Sequence, residues 1–416
     1  LPKIRVLQIC DHLGWEGSRM HGVKRLFAWM IPRFDRSRFE VSLLSLRKKD
    51  LSEDNLESLG FPVHYLEKGK FDLSTFPALV SLLKKLEIDV IQTHGYGATT
   101  FGRAAAFRLR IGNVLQEHAN LTDTPWFQKI PDRILNPVTD VAIAVSESTR
   151  DFCIRARKLS RERVKKVYLG APLDEFVPFA AEARENARLR LGFSPADKIV
   201  GTVTRLMESK GNRYLIEAAA ILARKRSEVK VAVIGEGPLL PELEAQARSL
   251  GVSDRVRFLG FQREVAPSIA AFDVSVFPSL WEGTPLTVFE AMAMRKPMVA
   301  TSVDGLRDVL RNEENALVVP PKDARALAEA IERLLDEPGL APRLSERALR
   351  SSRRFDIRIF VEKMERLYEL LVEGYRSAGG RRPRWDYLRD FSFLEDAAPL
   401  KDDEFPAGSE ARAVPL

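Results

Sequence analysis

The sequence predicts an α/β protein of two Rossmann-like, doubly wound parallel-sheet domains facing a central crevice. Short apolar strand patterns alternate with helical patterns along almost the whole chain, which is the signature of parallel crossover units. A length of 416 residues suits two or three domains. The alternation breaks at 172–197, where the chain becomes rich in Ala, Glu and Arg and carries Pro172, Pro178 and Pro195. That stretch reads as a connector between a first domain, 1–171, and a second, 198–355.

In the first domain Lys3–Ile9 reads as a buried strand, Gly14–Gly22 as a loop and Val23–Ile31 as a helix. Phe39–Leu46 is the next strand. Ser74–Leu86 has helical spacing, with Ser74 as N-cap and Pro77 in the first turn. Strands follow at Asp89–Gln92, Asn113–Glu117, Asp140–Val145 and Val164–Leu169. The intervening helices run through Arg110, over Gln128–Leu135, and onward from Glu147.

The second domain repeats the scheme. Its strands are Lys198–Val203, Lys230–Ile234, Arg255–Leu259, Val274–Pro278, Pro297–Ala300 and Ala316–Val319. Its helices fall near Tyr214–Arg226, Leu239–Leu250, Val265–Ala271, Thr287–Met294, Gly305–Leu310 and Asp323–Leu335. A last amphipathic helix, Phe360–Val372 within 356–376, is expected to cross back to the first domain. The tail 377–416 is basic at Arg381–Arg384, then rich in aromatic residues and leucine up to Leu394, then acidic and small. Part of it is expected to dock and its end to stay loose.

Composition narrows the function classes. With 45% hydrophobic and 30% charged residues, the chain is neither disordered, collagenous nor a coiled coil. Two cysteines, Cys10 and Cys153, cannot build a disulfide framework or a thiolate zinc site. The five histidines show no metal-ligating spacing, so a metal hydrolase is not expected. No run approaches about 18 apolar residues, so no membrane span is expected. No apolar leader precedes the first strand, and a cytoplasmic location is expected.

The net charge of +7 admits a mildly basic surface, an anionic ligand, an anionic membrane face or nucleic acid. Basic residues are dispersed and no nucleic-acid module is visible, so nucleic acid is not an expected partner. The segment Lys24–Arg38 mixes basic and bulky apolar residues. It suits either peripheral contact with an inner membrane face or a helix packed on the sheet with basic ends. Trp15, Trp126 and Phe127 fall in expected loops, where they could stack on an acceptor, touch lipid or simply pack.

Three motifs of the second domain carry chemistry. Arg205 and Lys210-Gly211 follow a strand and open a helix, so two cations and helix-terminal amides could meet a diphosphate. Gly235-Glu236-Gly237-Pro238 follows the next strand and suits a tight turn near a nucleotide, or an ordinary strand-to-helix turn. Glu282-Gly283-Thr284-Pro285-Leu286-Thr287 leads into a helix bearing Glu290. Two carboxylates there can accept hydrogen bonds from sugar hydroxyls.

In this order and spacing, these motifs together with Pro297–Thr301 and Asn315–Asp323 resemble glycosyltransferase family 4 over roughly Ile199–Ala330. The first domain agrees more loosely, at Gln92–Gly95, Glu117-His118 and Asp140–Glu147. The resemblance implies a GT-B fold and retaining, metal-independent transfer of a hexose-type sugar. The donor would be a nucleoside-diphosphate sugar, UDP- or GDP-linked, consumed as a substrate with no cofactor, and the acceptor is unspecified. It implies that Arg205 and Lys210 hold the departing diphosphate. Glu290 would take the ribose. Glu282 would take hydroxyls of the transferred sugar, helped by Gly283, Thr284, Pro285, Leu286 and Thr287. Gly235 and Gly237 would lie against the donor, and Gly22 would admit the diphosphate or acceptor to its backbone. His118 would approach the sugar and the reacting centre.

The chain departs from the family's frequent patterns at Arg19-Met20-His21-Gly22, Gly170–Asp174, Asp304–Asp308 and Asn315-Ala316. These departures bear on acceptor and sugar. A sugar-nucleotide epimerase or hydrolase of the same architecture, or a binder that has lost the reacting side, are the other readings.

Overall fold

The computed structural model describes residues 2–14, 20, 22–52, 54–118, 126–284 and 286–396. Trp15, Pro285 and the side chain of Phe127 lie outside the described set, as do His21 and the tail past 396.

Seven strands form the first sheet: β1 (Ile4–Cys10), β2 (Phe39–Ser45), β3 (Val63–Tyr65), β4 (Val90–His94), β5 (Gly112–Glu117), β6 (Val141–Ala144) and β7 (Val164–Lys166). They pair in parallel in the order β3-β2-β1-β4-β5-β6-β7. Six form the second: β8 (Lys198–Val203), β9 (Val229–Ile234), β10 (Val256–Phe258), β11 (Val274–Phe277), β12 (Met298–Thr301) and β13 (Leu317–Val319). These are also parallel, in the order β10-β9-β8-β11-β12-β13. Helices cover both faces of each sheet, so strands such as Val141–Ala144 are buried throughout and read as unbroken apolar runs. The strand order reverses between β1 and β4 and between β8 and β11. In doubly wound sheets, ligands bind at the carboxyl ends of strands at such a switch point.

The alternation read from sequence is therefore the fold, with differences in detail. β3 is a three-residue, half-buried edge strand, too short to leave an apolar pattern. Ser74 does not cap its helix, because its backbone is already helical. Instead the Asp72 carboxylate accepts from the Ser74 amide at 2.8 Å and closes the turn before Thr75. The stretch 172–197 contains the helix Ala181–Arg190. Its Arg184 and Arg188 reach Asp273 of the second domain at 2.6 and 3.0 Å. A further helix, Leu340–Ser352, buries Leu340, Leu344 and Ala348 at four-residue spacing.

The last long helix, Ile357–Ser377, starts on the Asp356 side chain, which accepts from the Arg358 amide. Its buried stripe of Phe360, Met364, Leu367 and Leu371 lies on β1, β4 and β5 of the first sheet. At about 1.5–3 kcal/mol per buried side chain, this stripe contributes on the order of 10 kcal/mol of apolar burial. Beyond it, Arg382 and Trp385 reach the buried Asp140 at 3.2 and 3.3 Å and dock the start of the tail.

The segment Lys24–Arg38 is built into the first domain, which corrects its reading as a membrane contact. Lys24 is fully buried against Asp50 at 2.6 Å, and Leu26, Phe27, Trp29, Met30 and Ile31 face inward. Arg33 pairs with Glu175, and Arg38 is held by Glu369. No large apolar side chain of this segment is exposed to meet a bilayer.

Candidate functional site

A crevice of about 1300 Å³ separates the two sheets. Its walls are the loops after β1, β4 and β5 on one side and after β8, β9, β10 and β11 on the other. Both switch points thus open into one space. Of the residues named from sequence, Gly22, His118, Arg205, Lys210, Gly235, Gly237, Glu282, Thr284, Leu286 and Thr287 line it. Gly283 and Glu290 do not.

Arg205 is exposed at the crevice wall, and its guanidinium meets no carboxylate among the described residues. Its loop is fixed from below by the turn after β9. The Thr204 and Leu206 amides donate to Ile234 and Glu236 carbonyls, both at 2.9 Å. Gly235 makes this possible. Its φ is +127°, and a Cβ there would stand 1.8 Å from the Thr204 carbonyl oxygen. Gly235 thus acts first by letting the turn lie against the Arg205 loop.

Lys210 ion-pairs with Glu282, and the Ser279 hydroxyl donates to the same Glu282 oxygen at 3.4 Å. Both charged groups are mostly sheltered from solvent, so their field in the crevice is little screened. A diphosphate at this point would compete with Glu282 for the ammonium, while a sugar hydroxyl would offer Glu282 a new donor.

His118 sits at the end of β5, and its ring is held from behind. His118 Nε2 lies 2.8 Å from Nδ1 of the buried His94. His94 Nε2 lies 2.8 Å from Gln8 Oε1. An amide oxygen only accepts, so His94 carries its proton on Nε2 and accepts at Nδ1 from His118 Nε2–H. Burial, with His118 adding to it, pushes His94 well below the usual imidazole range and keeps it neutral. The chain continues inward: Gln8 Nε2 donates to the Tyr368 hydroxyl at 2.9 Å, and that hydroxyl donates to Gln92 Oε1. Gln92 in turn donates to Gln116. With Nε2 committed to His94, the remaining ring nitrogen of His118 is Nδ1.

Glu290 is fully buried rather than displayed in the crevice. Arg25, from the helix Gly22–Met30, crosses from the first domain and places Nη1 2.8 Å from Glu290 Oε1. Oε2 has no hydrogen-bond partner among the described residues. Burial raises the pKa of Glu290, and Arg25 pulls it back down. Arg25 itself lines the crevice, so it stands between Glu290 and the open space.

The Gly283-Thr284 loop joins the domains. A Cβ on Gly283 would lie 2.1 Å from the His118 carbonyl oxygen. The Thr284 hydroxyl donates to the Val145 carbonyl at 2.6 Å. Nearby, Asp308 accepts from the Glu147 amide at 2.7 Å and caps the helix Glu147–Arg155 across the interface.

Sequence reading missed Arg25, His94's part behind His118, Gln8 and Tyr368. A buried glutamine in a core strand was the available signal for Gln8, since a buried amide requires partners.

Two parallel Rossmann-type sheets that meet across such a crevice, with the last helix returning to the first sheet, constitute the GT-B fold. Residues 197–337 match the model for glycosyl transferases group 1, and residues 20–175 match that for glycosyltransferase family 4. An alpha-D-kanosaminyltransferase of Streptomyces kanamyceticus is 36% identical over 50% of this chain and 54% of its own. The chain thus spans about half the length of that relative. A D-inositol 3-phosphate glycosyltransferase of Streptomyces bingchenggensis is 30% identical over 69% of this chain and 68% of its own. Among solved structures, Anabaena HepE in complex with UDP superposes with a TM-score of 0.76 at 22% identity, covering 88% of this chain and all of that one. The chain belongs to glycosyltransferase family 4.

Proposed function

We propose that the protein transfers a hexose from a nucleoside-diphosphate sugar, UDP- or GDP-linked, to an acceptor hydroxyl. Transfer would retain the anomeric configuration and need no metal. The observation that carries this reading is the facing of Arg205, Lys210 and Glu282 on one crevice wall by His118 on the other. The UDP complex of HepE agrees with a donor that carries a nucleoside diphosphate, and the names of the two relatives agree with glycosyl transfer.

In this reading the donor diphosphate lies against Arg205, Lys210 and the N-terminal end of the helix Leu286–Ala293. These groups meet the charge that grows on the departing oxygen, which is where fixed positive charge lowers a barrier most. Glu282, drawn off Lys210, accepts from sugar hydroxyls and holds the ring for attack. The bond from the anomeric carbon to the diphosphate oxygen breaks while a bond to the acceptor oxygen forms on the same face. The acceptor proton passes to the departing diphosphate. His118 approaches the sugar from the first-domain wall, and Glu290 reaches the ribose once Arg25 swings away.

The test is a panel of UDP-, GDP- and ADP-sugars, with the product anomer read by proton NMR and the reaction repeated in EDTA. Retention and chelator insensitivity are expected, with kcat/KM of Lys210→Ala lower by about 10²–10³. Folded protein that binds none of the donors would overturn the reading. An inverted product or a chelator-sensitive rate would remove the corresponding part of it.

A further inference from the structure

The helix Trp126–Leu135 is amphipathic in the reverse sense. Its polar flank faces the protein. Asp132 is buried, ion-paired to Arg103 and, at 2.8 Å, to Arg157. The Gln128 carbonyl accepts from the Tyr96 hydroxyl of the neighbouring helix Tyr96–Leu109. Its apolar residues at four-residue spacing point outward: Trp126, Ile130 and Ile134 are 73%, 52% and 67% exposed. Lys129 and Arg133, on the same side, are exposed too.

A water-facing helix ordinarily turns such an apolar stripe inward. Here the buried Arg103–Asp132–Arg157 cluster fixes the opposite rotation. Turning the helix over would bury Lys129 and Arg133, take Asp132 from Arg103 and leave Arg157 with Glu117 alone, which is costly.

We propose that this face docks the protein on an anionic lipid bilayer. Large apolar side chains flanked by cations, with no exposed carboxylate on the helix, complement a layer whose interior is apolar and whose surface is negative. Phe107, exposed near the end of the adjacent helix beside Arg108, extends the same character. Among the described residues no helix is long and apolar enough to cross a membrane, so the contact is one of lying on the surface. The face also has a defined place relative to the crevice. Trp126 begins its helix eight positions after His118, at the same end of the first sheet, so docking would hold the crevice beside the lipid surface. This inference is independent of the transfer chemistry.

The experiment is co-sedimentation of the full chain with vesicles of phosphatidylcholine alone or mixed with phosphatidylglycerol. Binding to the anionic vesicles is expected, weakening with added salt. The variant Trp126→Ser/Ile130→Ser/Ile134→Ser should lower the partition constant by about tenfold or more. Lys129→Glu/Arg133→Glu, which alters no buried group, should do the same and stands alone if the triple variant misfolds. Absence of binding, equal binding to both vesicle types, or wild-type binding by the charge-reversed variant overturns the proposal. A dimer seen by sedimentation velocity that the triple variant dissolves would also overturn it, assigning the face to a second copy of the chain.

Discussion

Arg25 and Glu290 form an ion pair across the two domains, 265 positions apart in sequence. The pair stabilises a carboxylate that is otherwise wholly enclosed, with one oxygen already lacking a partner among the described residues. Removing Arg25 leaves that charge uncompensated, so Arg25→Ala is expected to cost about 3 kcal/mol near pH 8. The cost depends on pH with a definite sign. Burial sets the folded pKa of Glu290 above its unfolded value, so the folded state keeps the proton to higher pH. The associated stability is present at acid pH and is lost as pH rises through the folded pKa. Without Arg25 the pKa rises further, so the variant's deficit should shrink on going from pH 8 to pH 5. Urea midpoints of both proteins at the two pH values check this, and a deficit equal at both would show that Arg25 does not govern Glu290.

The helix Ile357–Ser377 connects the end of the chain to the crevice side of the first domain. Its Tyr368 is fully buried and bridges Gln8 and Gln92, which stand opposite each other on β1 and β4. Through Gln8 and His94 the bridge sets which nitrogen of His118 bears a proton. Tyr368→Phe keeps the ring but leaves Gln8 and Gln92 without their shared hydroxyl, each buried polar group costing about 1–3 kcal/mol. The expected result is a kcat lower by roughly tenfold with KM little changed, together with an altered His118 tautomer signature in nitrogen-15 NMR. A loss of stability with kcat and the tautomer signature untouched would make the bridge purely structural.

These elements also show what a sequence can and cannot carry. Strand and helix alternation is local, so Lys198–Val203 is legible residue for residue, and the motifs around Arg205 and Glu282 lie within short loops at strand ends. The partners are another matter. Arg25 on Glu290 and Tyr368 behind His118 depend on which surfaces the folded chain brings together, and no spacing encodes that. The Ala181–Arg190 helix looks like a polar connector until Asp273, far along the chain, gives its arginines a place. Trp126 reads as a loop residue because its helix begins only there.

The two domains approach one another tightly at Gly283. Gly283 of the second lies against the His118 carbonyl of the first, and the neighbouring Thr284 is bonded to Val145. The same short loop thus carries Glu282, the proposed sugar ligand, and sets how near His118 can come to it. A methyl group at Gly283 would meet backbone at 2.1 Å, and backbone between a strand and its loop cannot rotate aside as a side chain can. The conflict is relieved by separating the domains by about an ångström or more. Displacement of that size between reacting groups costs roughly 10² in rate. Gly283→Ala is therefore expected to keep both sheets folded, with little change in Tm, while kcat/KM falls about a hundredfold and small-angle scattering reports a larger radius of gyration. Activity within about twofold of wild type would mean that closure at Gly283 does not set the distance between His118 and the sugar. The alignment of the two walls would then have to come from the other contacts between the domains, the Arg25–Glu290 pair, the Asp308–Glu147 bond and the Ile357–Ser377 helix.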